Sequence, residues 1–137
     1  MKYYAVIDTN VLVSALLNDK STPGAVLHKV AEGVIIPLYS SEIIEEYEDV
    51  LHRSKFSFSC ENSEAIISSI RQRGAKIDVN RMDYPVSDPD DVIFYAVVME
   101  KRQVTDAYLV TGNLKHFPKE PFVVTPKEML DIIERNT

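Results

Sequence analysis

An apolar run, Tyr3-Tyr4-Ala5-Val6-Ile7, stops at three polar residues, Asp8-Thr9-Asn10, and passes without a breaker into Val11 to Leu17. A run this short, rich in β-branched and aromatic residues, suits a strand buried on both faces, as in a parallel sheet. The stretch after it has helical length, so the junction reads strand, polar turn, helix. Ligands of open α/β sheets bind beyond the carboxyl ends of the strands. Asp8 sits at such an end, beside a helix N-terminus whose free N–H groups can orient it. Taken alone, Asp8, Thr9 and Asn10 read as helix caps, a job all three residue types do well.

The rest of the chain alternates in the same way. Thr22-Pro23-Gly24 opens a helix with Ala25, Val26, Leu27, Val30 and Ala31 on its apolar face, stopped at Gly33. Val34 to Tyr39 is a second strand, with Pro37 pointing to an edge or irregular position. Ser40-Ser41 caps a helix from Glu42 to Leu51 whose inward face is Ile43, Ile44, Tyr47, Val50 and Leu51. On that helix Glu42 and Glu46 read as flanking or solvated, and Glu45, one turn after the cap, can reach across the mouth of the sheet. His52 to Cys60 mixes basic and aromatic residues and reads as a helix end plus core aromatics. Asn62 or Ser63 starts a helix that ends at Arg71-Gln72-Arg73-Gly74, and Lys76 to Val79 is a brief third strand.

A second acidic focus, Ser87-Asp88-Pro89-Asp90-Asp91, heads a helix with Ile93, Phe94, Ala96, Val97 and Val98 inward. Asp88 before Pro89 is a good cap pair, and acids there complement the helix dipole. Two or three acids exceed what capping needs, and Asp91 begins an apolar face from which it cannot easily turn away. Ala107 to Val110 is another buried strand, ending in Thr111-Gly112-Asn113. Phe122 to Val124 is the last strand, and Thr125-Pro126 opens the last helix. The result is an α/β chain with a parallel sheet of about five short strands flanked by helices, within one domain over residues 1–137.

A single cysteine, Cys60, excludes an internal disulfide framework and fits a reducing compartment. No charged-then-apolar leader and no span-length apolar run is present, so a cytoplasmic protein with no membrane partner is expected. A formal net charge of −6 argues against broad coating of nucleic acid but not against an acidic, metal-loaded site.

Asp8, Asp91 with Asp90, and Asn113 converge on one edge of the sheet, where Glu45 can join them. Carboxylates about 4 Å apart repel by about 4 kcal/mol per pair at an effective dielectric of 20. Something must offset that, a proton or a cation. Oxygen donors with one amide suit Mg²⁺ or Mn²⁺ rather than Zn²⁺. Such sites bind phosphate-bearing substrates. The three histidines are scattered; His116 alone lies near this edge and reads as a solvent-facing loop residue.

Four blocks in order, Val6 to Val11, Ser40 to Glu45, Asp90 to Ala96 and Leu109 to Phe117, make the sequence resemble the PIN-domain ribonucleases, in particular the small prokaryotic toxins of toxin–antitoxin pairs. The resemblance implies a three-layer α/β/α fold and Mg²⁺- or Mn²⁺-dependent cleavage of RNA. Asp8 matches the family's first acid, Glu45 its second and Asp91 its third. Asn113 stands where many members carry a fourth Asp, and Asp90 is an extra acid. On this reading Asp8, Asp91, Glu45, Asp90 and Asn113 surround the metal, Asp8, Glu45 and Asp91 are catalytic, and Thr9, Asn10 and Thr111 fix carboxylate rotamers.

Other readings weigh less. A phosphoaspartate phosphatase wants a second Asp two residues after the first, where this chain has Asn10. A receiver-like domain keeps its acidic pair near the first strand. A PIN fold that binds without cleaving is made reasonable by Asn113. An acidic mouth invites the basic segment of a cognate antitoxin, and the apolar helices between Thr22 and Cys60 are the expected place for self-association.

Overall fold

The computed structural model describes all residues, 1–137. Five strands, β1 (Tyr3–Ile7), β2 (Ile35–Tyr39), β3 (Ala75–Lys76), β4 (Tyr108–Val110) and β5 (Val123–Val124), form one parallel sheet in the order β3-β2-β1-β4-β5. The helices are α1 (Thr9–Leu17), α2 (Thr22–Ala31), α3 (Ser41–Leu51), α4 (Cys60–Arg73), α5 (Pro89–Arg102) and α6 (Pro126–Arg135). α2 touches both α4 and α6 on one side of the sheet. α5 lies across β1, β2 and β4 with α3 beside it. This is the α/β/α arrangement of a PIN-like fold.

The order of the strands fixes where a ligand can sit. From β1 the chain moves outward to β2 and β3, then returns past β1 to lay down β4 and β5 on the other side. The carboxyl ends of β1 and β4 therefore flank the point where the winding reverses, and a crevice opens there. Ile7 pairs with Val110, so the next residues, Asp8 and Thr111, emerge side by side. Ala5, Val6, Ile7, Leu109 and Val110 are fully buried. The sheet centre is thus apolar on both faces, as its unbroken apolar runs require.

Several expected boundaries move, each for a local reason. α1 begins at Thr9, so the polar turn after β1 is the single residue Asp8. α4 begins at Cys60, because the Ser59 hydroxyl accepts from Asn62 N–H and caps it earlier than expected. β3 pairs only over Ala75 and Lys76, rather than from Lys76 to Val79. β2 is not an edge strand: it lies between β1 and β3. Pro37 is tolerated because β3 pairs only from Leu38 onward, so no neighbouring carbonyl awaits its missing N–H on that side. Gly74 lets α4 turn into β3 at this point, since a Cβ there would lie 2.2 Å from the Pro37 carbonyl oxygen.

One hydrophobic cluster of 28 buried residues runs from Tyr3 to Ile133 and takes side chains from all six helices. The inward faces of α2 and α3 (Val26, Val30, Ile43, Ile44, Tyr47, Leu51) are spent on it. The large exposed apolar residues are Met1, Leu17, Met82, Val104 and Leu114, none of them between Thr22 and Cys60. Of the apolar residues between Thr22 and Cys60, Leu27, Val50, Phe56 and Phe58 stay partly exposed. Within the core the Tyr47 hydroxyl donates to the Ile7 carbonyl, fastening α3 to the end of β1. Tyr47→Phe would leave that carbonyl unpaired, and a loss of about 1–2 kcal/mol in urea unfolding is expected.

Candidate active site

Asp8 holds the N-cap position of α1, yet its side chain makes no capping hydrogen bond. Asp88, Thr125, Ser21, Ser40 and Ser59 do cap their helices through their side chains. Capping thus fails to account for Asp8. Its carboxylate instead accepts from the Thr111 hydroxyl at 2.8 Å and the Asn10 amide at 3.3 Å, both at Oδ2. Asn10 is itself held, its Oδ1 accepting from Gly112 N–H at 3.0 Å. A side chain at Gly112 would crowd that oxygen, with its Cβ 3.2 Å away. The Thr9 hydroxyl is buried and bonds to nothing, so of the three side chains expected to fix rotamers only Asn10 and Thr111 bond to Asp8, and Thr9 acts on it through its backbone N–H.

Two further acids face this point. Asp91, in the first turn of α5, adds to the repulsion felt by Asp8. Its Oδ2 is buried and has no hydrogen-bond partner. His116 Nδ1 lies 3.4 Å from that oxygen, near enough for charge attraction but not in hydrogen-bonding geometry. The other acid is Glu46. It is half-buried on α3 and feels Asp90, Asp49 and Asp8. Glu45, the expected second acid, is exposed and lines a groove with Tyr39, Ser41, Glu48, Arg71 and Lys76, away from Asp8. Helical rotation explains the exchange. At 100° per residue Glu45 points about 160° from the centre of the Ile43–Tyr47–Leu51 stripe, into solvent, and Glu46 flanks the stripe at about 100°.

The remaining expected residues take supporting places. Asp90 is exposed in the first turn of α5 and raises the pKa of both Glu46 and Asp91. Asn113 N–H donates to the Thr111 hydroxyl at 3.0 Å, and its side-chain amide meets His116 Nε2 at 2.9 Å. In the neutral ring, with that amide donating, the imidazole proton sits on Nδ1, toward Asp91. His116 is exposed, as its loop position suggests, yet its Nε2 meets the Asn113 amide and its Nδ1 lies near Asp91, a placement that no periodic signal in its loop announces.

The electrostatics follow from burial. Asp8 is 5% exposed. Loss of solvent, with Asp91 beside it, pushes its pKa up to about 6 against the opposing pull of Thr111 and His116. Burial, with Asp90 and Asp49 as neighbours, raises Glu46. Burial, with Asp88 as neighbour, raises Asp91, and His116 partly offsets it. Three acids delivered by β1, α3 and α5 all hold their protons more tightly than in water. No Lys or Arg is among the groups that perturb Asp8 or Asp91.

A family model for the PIN domain matches residues 4–115. The chain belongs to the PIN-domain family. The matched stretch of this PIN domain runs from β1 to the turn after β4 and contains Asp8, Glu46, Asp91 and Asn113. No curated protein matches the chain. Among solved structures, a chain in the crystal structure of VapBC2 from Rickettsia felis, bound to a DNA fragment from its promoter, is similar with a TM-score of 0.57. The identity is 18%, over 89% of this PIN domain and 96% of the other chain, a likeness of fold. No helix is long and apolar enough to cross a membrane.

Proposed function

We propose that this PIN domain is a Mg²⁺- or Mn²⁺-dependent endoribonuclease that hydrolyses RNA phosphodiester bonds, with Asp8, Glu46 and Asp91 holding the ion. The observation that carries this reading is the buried, unpartnered Oδ2 of Asp91 beside a buried Asp8. An orphan carboxylate oxygen costs about 1–3 kcal/mol or more unless something binds it. The donors are carboxylate oxygens, with an imidazole at the rim, and they fit a hard divalent ion. When bound, such an ion would polarise a phosphoryl oxygen and ease deprotonation of water.

The chain's own residues do the rest. Thr111 and Asn10 hold the Asp8 carboxylate in one rotamer. Asn113 and His116 form a bonded pair at the rim, close enough for His116 to counter the charge of Asp8 and Asp91. Next to them Leu114, Lys115, Phe117, Pro118, Lys119 and Val123, with the Glu120 carboxylate among them, line a depression of about 300 Å³. Two ammonium groups beside an apolar wall suit a single strand, its phosphates on the lysines and a base against the wall. Asp90 and Asn113 lie at the edge of this arrangement, and Glu45 lies outside it.

We further read the protein as the toxin of a toxin–antitoxin pair. The likeness in fold to a chain of the VapBC2 assembly supports this, as does an acidic mouth able to receive an Arg or Lys from a partner. The alternative is a PIN fold that binds RNA without cutting it. The Asn113 amide favours that reading, being occupied by His116 at a position where an acid would have added a ligand.

Cleavage of a mixed RNA by the purified chain, with chelator and with Mn²⁺, decides between the two. Glu46→Gln should slow Mn²⁺-dependent cleavage by about 30-fold or more, and Glu45→Gln should leave it within about 3-fold. The reverse ranking would remove Glu46 from the site, a metal-independent rate would sink the metal-dependent mechanism, and no cleavage with Mn²⁺ would sink the nuclease reading.

A further inference from the structure

A second group of metal-ligating side chains lies away from the sheet edge, where α3 ends and α4 begins. His52 follows the last residue of α3, and Cys60 and Glu64 stand one turn apart at the start of α4, so the i, i+4 spacing sets thiol and carboxylate on one face. His52 Nε2 lies 3.2 Å from Glu64 Oε1 and 3.9 Å from Cys60 Sγ. One ligand atom from each residue falls within 4.8 Å of the other two. Ligand-to-ligand edges around a tetrahedral ion with N, O and S donors run about 3.3–3.8 Å, so the three atoms need only small rotamer adjustments to share one ion.

The orientation of His52 is the independent observation. Its Nδ1 lies 2.7 Å from the Glu48 carbonyl oxygen, which can only accept. Nδ1 therefore carries the proton, and in the neutral ring Nε2 turns its lone pair toward the Glu64 carboxylate. Two acceptors 3.2 Å apart repel unless a proton or a metal ion lies between them. A hydrogen bond from the far ring nitrogen to a backbone carbonyl is also how proteins aim a histidine at a metal. All three residues are exposed, and the helix ends that carry them are joined beneath by one buried bond. The Ser63 hydroxyl, fully buried, donates to the Leu51 carbonyl at 3.2 Å and locks the first turn of α4 onto the end of α3. Cys60 is exposed, which leaves room for water at a fourth position.

We propose that His52, Cys60 and Glu64 form a site for a zinc-class transition-metal ion, distinct from the Asp8–Glu46–Asp91 cluster. A thiolate and an imidazole select against Mg²⁺ and for Zn²⁺ or Co²⁺. The ion would clasp the connection between α3 and α4, which passes through Ser57 in a left-handed conformation at φ 54°.

Co²⁺ titration of the reduced, chelator-stripped chain tests this, because the sole cysteine makes any thiolate-to-cobalt charge-transfer band a report on Cys60. The expected band saturates at one ion per chain, is displaced by Zn²⁺ and withstands excess Mg²⁺. It persists in Asp8→Asn, disappears in Cys60→Ser, and needs about 10-fold or more Co²⁺ in His52→Ala and Glu64→Gln. Circular dichroism keeps misfolded variants out of the comparison. The proposal is overturned by a folded, reduced protein that gives no band. It is equally overturned by saturation at half an ion per chain, or by a band indifferent to His52→Ala.

Discussion

Asp8→Ala and Asp91→Ala are each expected to lower Mn²⁺-dependent RNA cleavage by at least about 100-fold without unfolding the chain. The two acids project from different elements, the end of β1 and the first turn of α5, and meet at the point where the sheet reverses its winding. Removing either takes away a charged oxygen donor that the other cannot replace, and groups acting on one ion lose their effect together. The double variant should therefore fall little further than the singles. Single-turnover cleavage with saturating Mn²⁺, on protein with wild-type circular dichroism, gives the comparison. Near-wild-type cleavage by a pure, folded Asp8→Ala protein would falsify the assignment of Asp8 to the reacting centre.

The second large effect belongs to the metal-free protein and to pH. The Asp8 carboxyl goes from an ordinary value of 3.8 to about 6 on folding, chiefly because burial strips its solvent. Below about pH 4 the folded and unfolded chains both hold this proton, and nothing is lost. Between about pH 4 and 6 the unfolded chain releases it first, so stability declines as pH rises. Above about pH 6 the penalty is complete, about 3 kcal/mol from this residue on the conversion of 1.36 kcal/mol per pKa unit. Glu46 and Asp91 are raised as well and push the same way.

Asn matches Asp in size, keeps an oxygen that can accept from Thr111 and Asn10, and carries no charge. Asp8→Asn should therefore stabilise the chelator-treated protein by about 1–3 kcal/mol at pH 7.5 and by nothing measurable near pH 4. Urea unfolding at the two pH values measures the difference. Added Mn²⁺ should raise the melting temperature of the wild type more than that of the variant, by mass action on the folded state. A chelator-treated Asp8→Asn protein that melts well below the wild type at pH 7.5 would show that Asp8 stabilises the apo fold and carries no buried charge penalty.

Much of the fold was legible because the signals were local. Apolar runs ending in Asp8 and Thr111 marked the two strands that flank the crevice, and the β-α alternation left a parallel sheet as the outcome. Asp91 was legible because an acid at the head of an apolar helix face has nowhere else to turn. Glu46 was readable in principle. Its place beside the Ile43–Tyr47–Leu51 stripe follows from the helical angle alone, whereas its neighbour Glu45, one turn after the Ser40 cap, points into solvent. His116 was legible as lying near this edge but not in its contacts, because a loop has no period and its ring is placed by Asn113 and Asp91. Pro37 misled because the rule confining proline to sheet edges concerns the missing hydrogen bond, and a two-residue β3 makes none at that point.

The three acids come from positions 8, 46 and 91, and the hydrogen bond that holds the first spans 103 residues of chain. A ribosome-bound or half-digested molecule that has made β1 to β3 owns Asp8 and Glu46 but lacks the α5 acid and the strand that carries Thr111. The stretch from Ile77 to Ser87, without regular structure, divides the set in the same way. A cut there leaves Asp8 and Glu46 on one fragment and Asp91 and His116 on the other. Whatever this centre does to its substrate, neither fragment holds all three acids, and it begins only at the completion of the fold.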